Sequence, residues 1–365
     1  MDTSSIDNSL DDIGRFAKDI KESKVHFIFP SKFTGGHEIM AIEIIKKLYS
    51  HEYINAENII CVVPEINSVL QEILISNAIK FSTFKSNGIG PEFLHALFNP
   101  FYLYRCVKIN KDSSTIGRVI LVQGDILQGV GFLIAGKYTS KRVTSYIPYA
   151  HSFKKMGAKF ALLKDFVSKI PYNICEEYIT ISECFRKEIK IKNNKANVSI
   201  IHNFVDKSQK NFIKRKLTKN DAINIFIVGR IQFHQKGHDI LLKALMGIVD
   251  YKIVLHVVGT GPDLHALEVM AKELTGNITV KFHGWVSDSW EIAYDNNIDL
   301  LVIPSLFEGV PLVMLEALER KVAIIAAARD GMLDYLPVES LYEIKGEEVT
   351  ALRAKITYHI QKRLA

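Results

Sequence analysis

The chain has 365 residues, 48% of them hydrophobic and 24% charged, the balance of a globular protein long enough for two domains. Its formal net charge of +6 belongs wholly to residues 1–200, which carry 26 Lys and Arg against 20 Asp and Glu. The four cysteines, Cys61, Cys106, Cys175 and Cys184, lack Cys-x-x-Cys spacing, which argues against a disulfide scaffold or zinc site and for a reducing cytoplasm.

Residues 1–23 are polar and partly acidic and read as an N-terminal extension, neither secretory signal nor transit peptide. Short β-branched runs then alternate with helical stretches, the pattern of α/β architecture with parallel sheets. In an N-terminal domain, 24–205, strands are expected at 24–30, 59–64, 118–123, 144–149, 178–182 and 198–202. The weakly charged stretch 119–136 is broken by Asp125 and several glycines, which argues against a membrane span. A polar, basic run, 206–221, reads as the interdomain linker. The C-terminal domain, 222–365, repeats the pattern, with strands at 223–229, 253–259, 278–284, 298–304 and 322–326. Helices are expected there at 237–249, 262–275, 287–296, 311–320 and 347–364. Two doubly wound domains facing a cleft is the economical reading, and such sheets bind ligands beyond the carboxyl ends of their strands.

The segment FEGVPLVMLE, 307–316, follows one of these strands. Pro311 suits the first turn of a helix, where a missing N–H costs nothing. Glu308 then lies just before a helix N-terminus and Glu316 about a turn and a half inside it. Amides near Val310, Leu312 and Val313 favour an anion, and the carboxylates accept from hydroxyl groups. A plainer reading makes Glu308 a complement to the helix dipole and Glu316 a surface residue. Upstream, Arg230 and Lys236 in GRIQFHQKG stand at the end of the neighbouring strand, placed to neutralise a diphosphate or simply to be solvated. The pair Gly259 and Gly261 and the turn HGWVS at 283–287 are weak signals alone.

Taken in order, Gly-Arg, Lys-Gly, Gly-x-Gly-Pro, His-Gly-Trp-Val and Glu-Gly-Val-Pro, with Glu308 and Glu316 spaced as E-x7-E, resemble the retaining glycosyltransferases of family 4. The likeness covers about 229–320 and implies the two-domain GT-B fold with the donor nucleotide on the C-terminal domain. On that resemblance Arg230 and Lys236 would clamp the diphosphate. Glu308 would bind hydroxyls of the transferred sugar beside the backbone of Gly309, Val310 and Leu312. Glu316 would hold the ribose, and the main chain of Val286 would meet the base. In the N-terminal half, SKFTGGHE at 31–38 resembles the family's glycine-rich first loop, where Gly35 and Gly36 let the backbone approach a phosphate or sugar. His151, at a strand end, matches a histidine often found near the transferred sugar, and Asp125 is a weaker candidate. The family commonly has a further C-terminal helix crossing back onto the N-terminal domain, whereas this sequence stops at Ala365.

The implied activity is transfer of a hexosyl unit from a UDP- or GDP-sugar to a saccharide hydroxyl, in the setting of bacterial envelope polysaccharide. Charge developing on the leaving diphosphate is met by cations and helix amides, so neither a metal nor another cofactor is expected. The sequence also lacks the Asp-x-Asp signature of metal-dependent glycosyltransferases. A sugar-nucleotide epimerase or hydrolase on the same fold, and a non-catalytic sugar-nucleotide-binding subunit, are the alternatives.

Residues 101–200 hold 17 basic and 7 acidic side chains. Such a surface suits an acceptor carried on a lipid and a peripheral contact with the anionic inner face of the cytoplasmic membrane. No recognition module for nucleic acid accompanies the charge. Phe153, Met156, Phe160, Leu163, Val167 and Ile170 recur at helical spacing with lysines on other faces. That stripe is read first as the buried face of a helix, with the lysines solvated.

Overall fold

A computed structural model describes residues 4–21, 23–86, 90–111, 116–205, 212, 215–274 and 276–365. The chain divides into two compact units, Met1–Phe204 and Val205–Ala365.

Unit 1 is built on seven parallel strands: β1 (Lys24–Ile28), β2 (Ile59–Pro64), β3 (Phe81–Phe84), β4 (Ile116–Val122), β5 (Arg142–Tyr146), β6 (Glu177–Thr180) and β7 (Asn197–Ile200). Their order across the sheet is β3-β2-β1-β4-β5-β6-β7. Strands covered on both faces must be apolar throughout, and Val119, Ile120, Leu121 and Val122 are all fully buried in β4. The direction of winding reverses between β1 and β4, so the loops after those two strands open a crevice.

The stretch read as an extension forms a helix, Ser4–Ile20, which packs against the helix Gly36–Tyr49. Ile13, Phe16, Ala17 and Ile20 are buried at the three- and four-residue spacing of one face. Asp12 fixes it further by accepting from the backbone N–H of His202 at 3.2 Å and the Nδ1 of that residue at 2.6 Å.

The stripe from Phe153 to Ile170 does not lie as expected. The helix begins only at Ala161 and runs to Ile174. Phe153 is buried, but Phe160, Leu163 and Ile170 are exposed, together with Leu162 and Phe166. The helix is anchored instead through Ser168, Pro171 and Tyr172.

Unit 2 has six parallel strands: β8 (Ile223–Val228), β9 (Ile253–Val258), β10 (Ile278–Gly284), β11 (Leu300–Ile303), β12 (Ala323–Ala327) and β13 (Leu341–Tyr342). Their order is β10-β9-β8-β11-β12-β13, with the reversal between β8 and β11. Helices His238–Met246, Leu264–Lys272, Ser289–Asp295, Leu312–Glu319 and Glu348–Leu364 connect or cover them, close to the expected spans. Residue 275, the expected end of one helix, lies outside the described residues. So do 206–211, 213 and 214 of the expected linker, whereas Arg215 is tied into unit 2 by a bidentate contact with buried Asp299. Among the described residues no helix is long and apolar enough to cross a membrane.

Candidate functional site

In unit 2 the loops after β8, β11 and β12 converge at the reversal point. The β8 loop contains a single helical turn, Phe233–Lys236, ended by Gly237 at φ +66°. A Cβ on Gly237 would sit 2.3 Å from the Pro304 carbonyl oxygen, so only glycine lets this loop lie against the end of β11. A backbone bond from the Leu306 N–H to the Gln235 carbonyl, 2.7 Å, joins the same two loops.

This closeness brings Lys236 and Glu308, 72 residues apart, into a direct, largely buried ion pair between Nζ and Oε2. Ser305 donates its hydroxyl to the same carboxylate oxygen at 3.2 Å. From the third loop, Asp330 accepts the Glu308 backbone N–H at 2.9 Å. Asp330 is 4% exposed and holds φ +50°, a conformation that short polar side chains tolerate best. Next to it, Gly331 donates to the Gly309 carbonyl at 3.2 Å, where a Cβ would overlap Val310 and Gly309. The Glu308–Val310 segment is therefore held from both sides.

Pro311 stands immediately before the helix Leu312–Glu319 as its N-cap, one position earlier than expected. The amides of Leu312 and Val313 precede the first backbone bonds of this helix, which run from Met314 and Leu315 to the Pro311 carbonyl. Glu316, half-buried, accepts from the indole N–H of Trp290 at 2.7 Å. Arg320 lies over the Trp290 ring, 4.6 Å from its centroid. Trp290 orients Glu316 while leaving its second oxygen to other donors.

Arg230 is exposed and has no hydrogen bond or ion pair among the described residues. It adjoins Gly229, whose missing Cβ would lie 3.7 Å from the Lys236 side chain. The two glycines of the Gly-x-Gly run serve packing: a Cβ on Gly259 would be 2.0 Å from the Gly229 carbonyl oxygen, and one on Gly261 2.2 Å from that of Ile231. Val286 is half-buried beside the exposed Trp285, in the loop after β10.

In unit 1 the loop after β1 enters the helix Gly36–Tyr49. The Gly35 N–H donates to the fully buried Glu38 carboxylate at 2.8 Å, so it is engaged by the fold. A side chain on Gly36 would meet nothing within 4 Å, so the backbone there is open to close approach. Gly124, after β4, adjoins this loop, since its Cβ would be 2.9 Å from the His37 ring. Burial pushes the neighbouring Asp125 carboxyl up, against the hydrogen bond it accepts from the Leu127 N–H.

His151 is buried on the Phe185 ring, with centroids 4.9 Å apart. Its Nδ1 faces the Glu188 carboxylate at 2.8 Å, and the Lys155 ammonium stands 3.3 Å from its Nε2. The same ammonium is 3.1 Å from Nδ1, so the ring, Glu188 and Lys155 form one cluster. Burial works to raise the Glu188 carboxyl, but His151, Lys155 and Lys192 outweigh it and hold it low.

The structure thus joins Lys236 and Glu308 directly, and adds Ser305, Asp330 and Trp290, which the sequence reading missed. Asp330-Gly331 after a strand is a turn signal, but nothing in one sequence says which amide an aspartate will take. Gly35, Gly36 and His151 belong to unit 1, while Arg230, Lys236, Val286, Gly309, Val310, Leu312, Glu308 and Glu316 belong to unit 2.

Comparison with known proteins bears on the second group. Part of the chain matches the model of the glycosyl transferases group 1 family. The match to that family covers residues 208–362 and so takes in the three converging loops. Among curated relatives, protein CapJ of Staphylococcus aureus is 31% identical over 134 residues, 36% of this chain and 34% of that protein. A lipopolysaccharide 1,6-galactosyltransferase of Salmonella typhimurium is 27% identical over 154 residues, 41% of this chain and 42% of the relative. These matches span less than half the length of either relative. For the whole chain, the structure of Anabaena HepE, solved with UDP and glucose, aligns with a TM-score of 0.71 at 16% identity, covering 94% of this chain and 92% of that one. That likeness gives the fold: two Rossmann-like α/β units of the GT-B type. The residues matched to the group 1 family include the reversal point where Lys236, Glu308 and the Leu312 helix N-terminus meet.

Proposed function

We propose that this protein is a retaining glycosyltransferase that moves a hexosyl unit from a UDP- or GDP-sugar to a saccharide hydroxyl in cell-envelope polysaccharide synthesis. The observation that carries the proposal is the Lys236–Glu308 pair at the β8/β11 reversal point, within the residues matched to the group 1 family. The similar lipopolysaccharide galactosyltransferase supports the saccharide setting, and the UDP and glucose in the HepE structure support the donor class.

In this reading Arg230, which has no protein partner among the described residues, meets the diphosphate with its guanidinium fork. Lys236 keeps Glu308 in place and lends part of its charge to the same phosphates. The amides of Leu312 and Val313 face the charge that grows as the sugar–phosphate bond breaks and the sugar becomes oxocarbenium-like. The second Glu308 oxygen accepts from a sugar hydroxyl, Glu316 takes the ribose hydroxyls, and the Val286 main chain meets the base. With these groups on the leaving charge the reaction proceeds without a metal. In unit 1, Gly36 is the open backbone position proposed to approach the sugar, and His151 is the proposed contact with its hydroxyls. An acceptor carried on a lipid would set the enzyme at the cytoplasmic face of the membrane.

A thermal-shift panel of UDP- and GDP-sugars names the donor, and product analysis by mass spectrometry with saccharide acceptors then shows transfer. Glu308→Ala is expected to abolish transfer while the circular dichroism spectrum is kept. Near-normal turnover in that variant would contradict the assignment of Glu308, and loss of wild-type activity on adding a chelator would contradict the metal-free mechanism.

A further inference from the structure

The segment from Phe153 to Ile170 in unit 1 is the place where sequence expectation and structure part most widely. Leu162 is 73% exposed, Leu163 60%, Phe166 68% and Ile170 47%, on a helix whose other side is anchored in the domain. Leu162, Phe166 and Ile170 are spaced four apart, so they form one outward stripe. Phe160, just before the helix, is 80% exposed and held at φ +56°, a strained conformation for an aromatic residue. Together these make an outward apolar ridge rather than scattered surface residues.

Charge surrounds the ridge. Lys154, Lys155, Lys159, Lys164 and Lys169 lie in the same 18-residue stretch against one acid, Asp165. That aspartate is turned inward, accepting from the backbone N–H groups of Phe153 at 2.6 Å and Lys154 at 3.1 Å. The Lys169 ammonium stands 5.7 Å from the Phe166 ring centroid, which sets a charge at the edge of the apolar ridge.

We infer that this ridge is a docking surface for an anionic phospholipid bilayer, with Phe160, Leu163 and Phe166 entering the headgroup boundary and the exposed Lys154, Lys159 and Lys169 facing lipid phosphates, while Lys155 is turned to Glu188 and Lys164 to the Phe153 ring. An apolar stripe with a lysine rim on an in-plane helix is what such an interface requires. A second copy of this chain fits less well, because it would bring the exposed Lys154, Lys159 and Lys169 against their own copies. The inference does not depend on the glycosyltransferase reading, since it concerns partition to lipid and not turnover.

A second apolar patch, with Phe98 77% and Phe101 80% exposed, lies on the neighbouring helices Glu92–Phe98 and Pro100–Lys111 and serves as the control. Full-length protein is sedimented with vesicles of phosphatidylcholine alone and of phosphatidylcholine with phosphatidylglycerol, at low and high salt. Binding is expected to the anionic vesicles at low salt and to fall at high salt. Phe160→Ser with Leu163→Ser and Phe166→Ser abolishes it. Lys159→Glu with Lys169→Glu lowers the partition coefficient by at least about tenfold. Phe98→Ser with Phe101→Ser leaves it within about twofold of wild type. All of these side chains are exposed, so the variants keep the fold, checked by circular dichroism. The inference is overturned by absence of binding to anionic vesicles at low salt. Loss in the Phe98 and Phe101 variant alone would also overturn it, as would a wild-type dimer that the Phe160, Leu163 and Phe166 substitutions split.

Discussion

The Lys236–Glu308 contact has two separable consequences, one for stability and one for ligand binding. Both groups are largely out of water, so their attraction offsets a desolvation cost that neither could bear alone. Lys236→Met leaves the Glu308 carboxylate with Ser305 and its other protein contacts but without the ammonium. Removing one partner of a buried pair costs roughly 3–5 kcal/mol, and the urea midpoint of unit 2 should fall accordingly. Adding Glu308→Gln removes the charge left behind, so the double variant should recover most of that stability while still failing to transfer sugar. A double variant as unstable as Lys236→Met alone would mean that the lysine acts through packing and not through the pair. The sequence placed both residues at neighbouring strand ends and so suggested a shared site. It could not show that the cation meets the carboxylate directly, because that depends on how closely the two loops approach.

At the scale of elements, that approach is controlled by Gly237. Its left-handed conformation costs a non-glycine residue about 1–2 kcal/mol, and the Pro304 carbonyl leaves no room for a Cβ. Gly237→Ala is expected to lower stability by more than that backbone term and to separate Lys236 from Glu308, weakening donor binding in the thermal-shift panel. Unchanged donor binding would show that the pair forms without this close contact. The Lys-Gly dipeptide reads as the start of a helix at 237 and not as a left-handed break, whereas the long buried strands were legible from their β-branched runs. Two strands were not. Phe81–Phe84 has four residues at a sheet edge with none fully buried, and Leu341–Tyr342 is too short for any periodicity. The Phe153–Ile170 stripe was misread for the opposite reason: periodicity says that apolar residues share a face, not which surroundings that face meets. Ser4–Ile20 is the same lesson reversed, since its polar composition hid a face on which, among the described residues, four apolar side chains are buried.

At the scale of the molecule, the two units should respond differently to acid. In unit 2, burial depresses the His238 and His256 imidazoles from 6.5 to about 4, helped by the charge of Lys236 and of His283 and Lys281 respectively. A depressed histidine is neutral in the fold while the unfolded chain already takes up a proton. Stability is therefore present above pH 6.5 and lost as pH falls towards 4. For His238, buried with neither ring nitrogen hydrogen-bonded among the described residues, the loss is on the order of 3 kcal/mol. Unit 1 is poised the other way. Burial raises the Glu92 and Asp125 carboxyls, so their contribution grows as pH falls. The Asp12 and Glu188 carboxyls are held low by their hydrogen bonds to His202 and His151, which outweigh burial, and they give way only below the ordinary carboxylate range. Acid unfolding should thus reach unit 2 first. Both tryptophans, Trp285 and Trp290, lie in unit 2, so their emission reports on it alone, while far-ultraviolet circular dichroism reports on both units. Titrated from pH 7 downwards, tryptophan emission should shift before most of the helical signal is lost. His238→Gln should move that shift to lower pH and leave the second transition in place. Coincident transitions in the wild type, or a first transition indifferent to His238→Gln, would show that acid sensitivity is not carried by the buried histidines of unit 2.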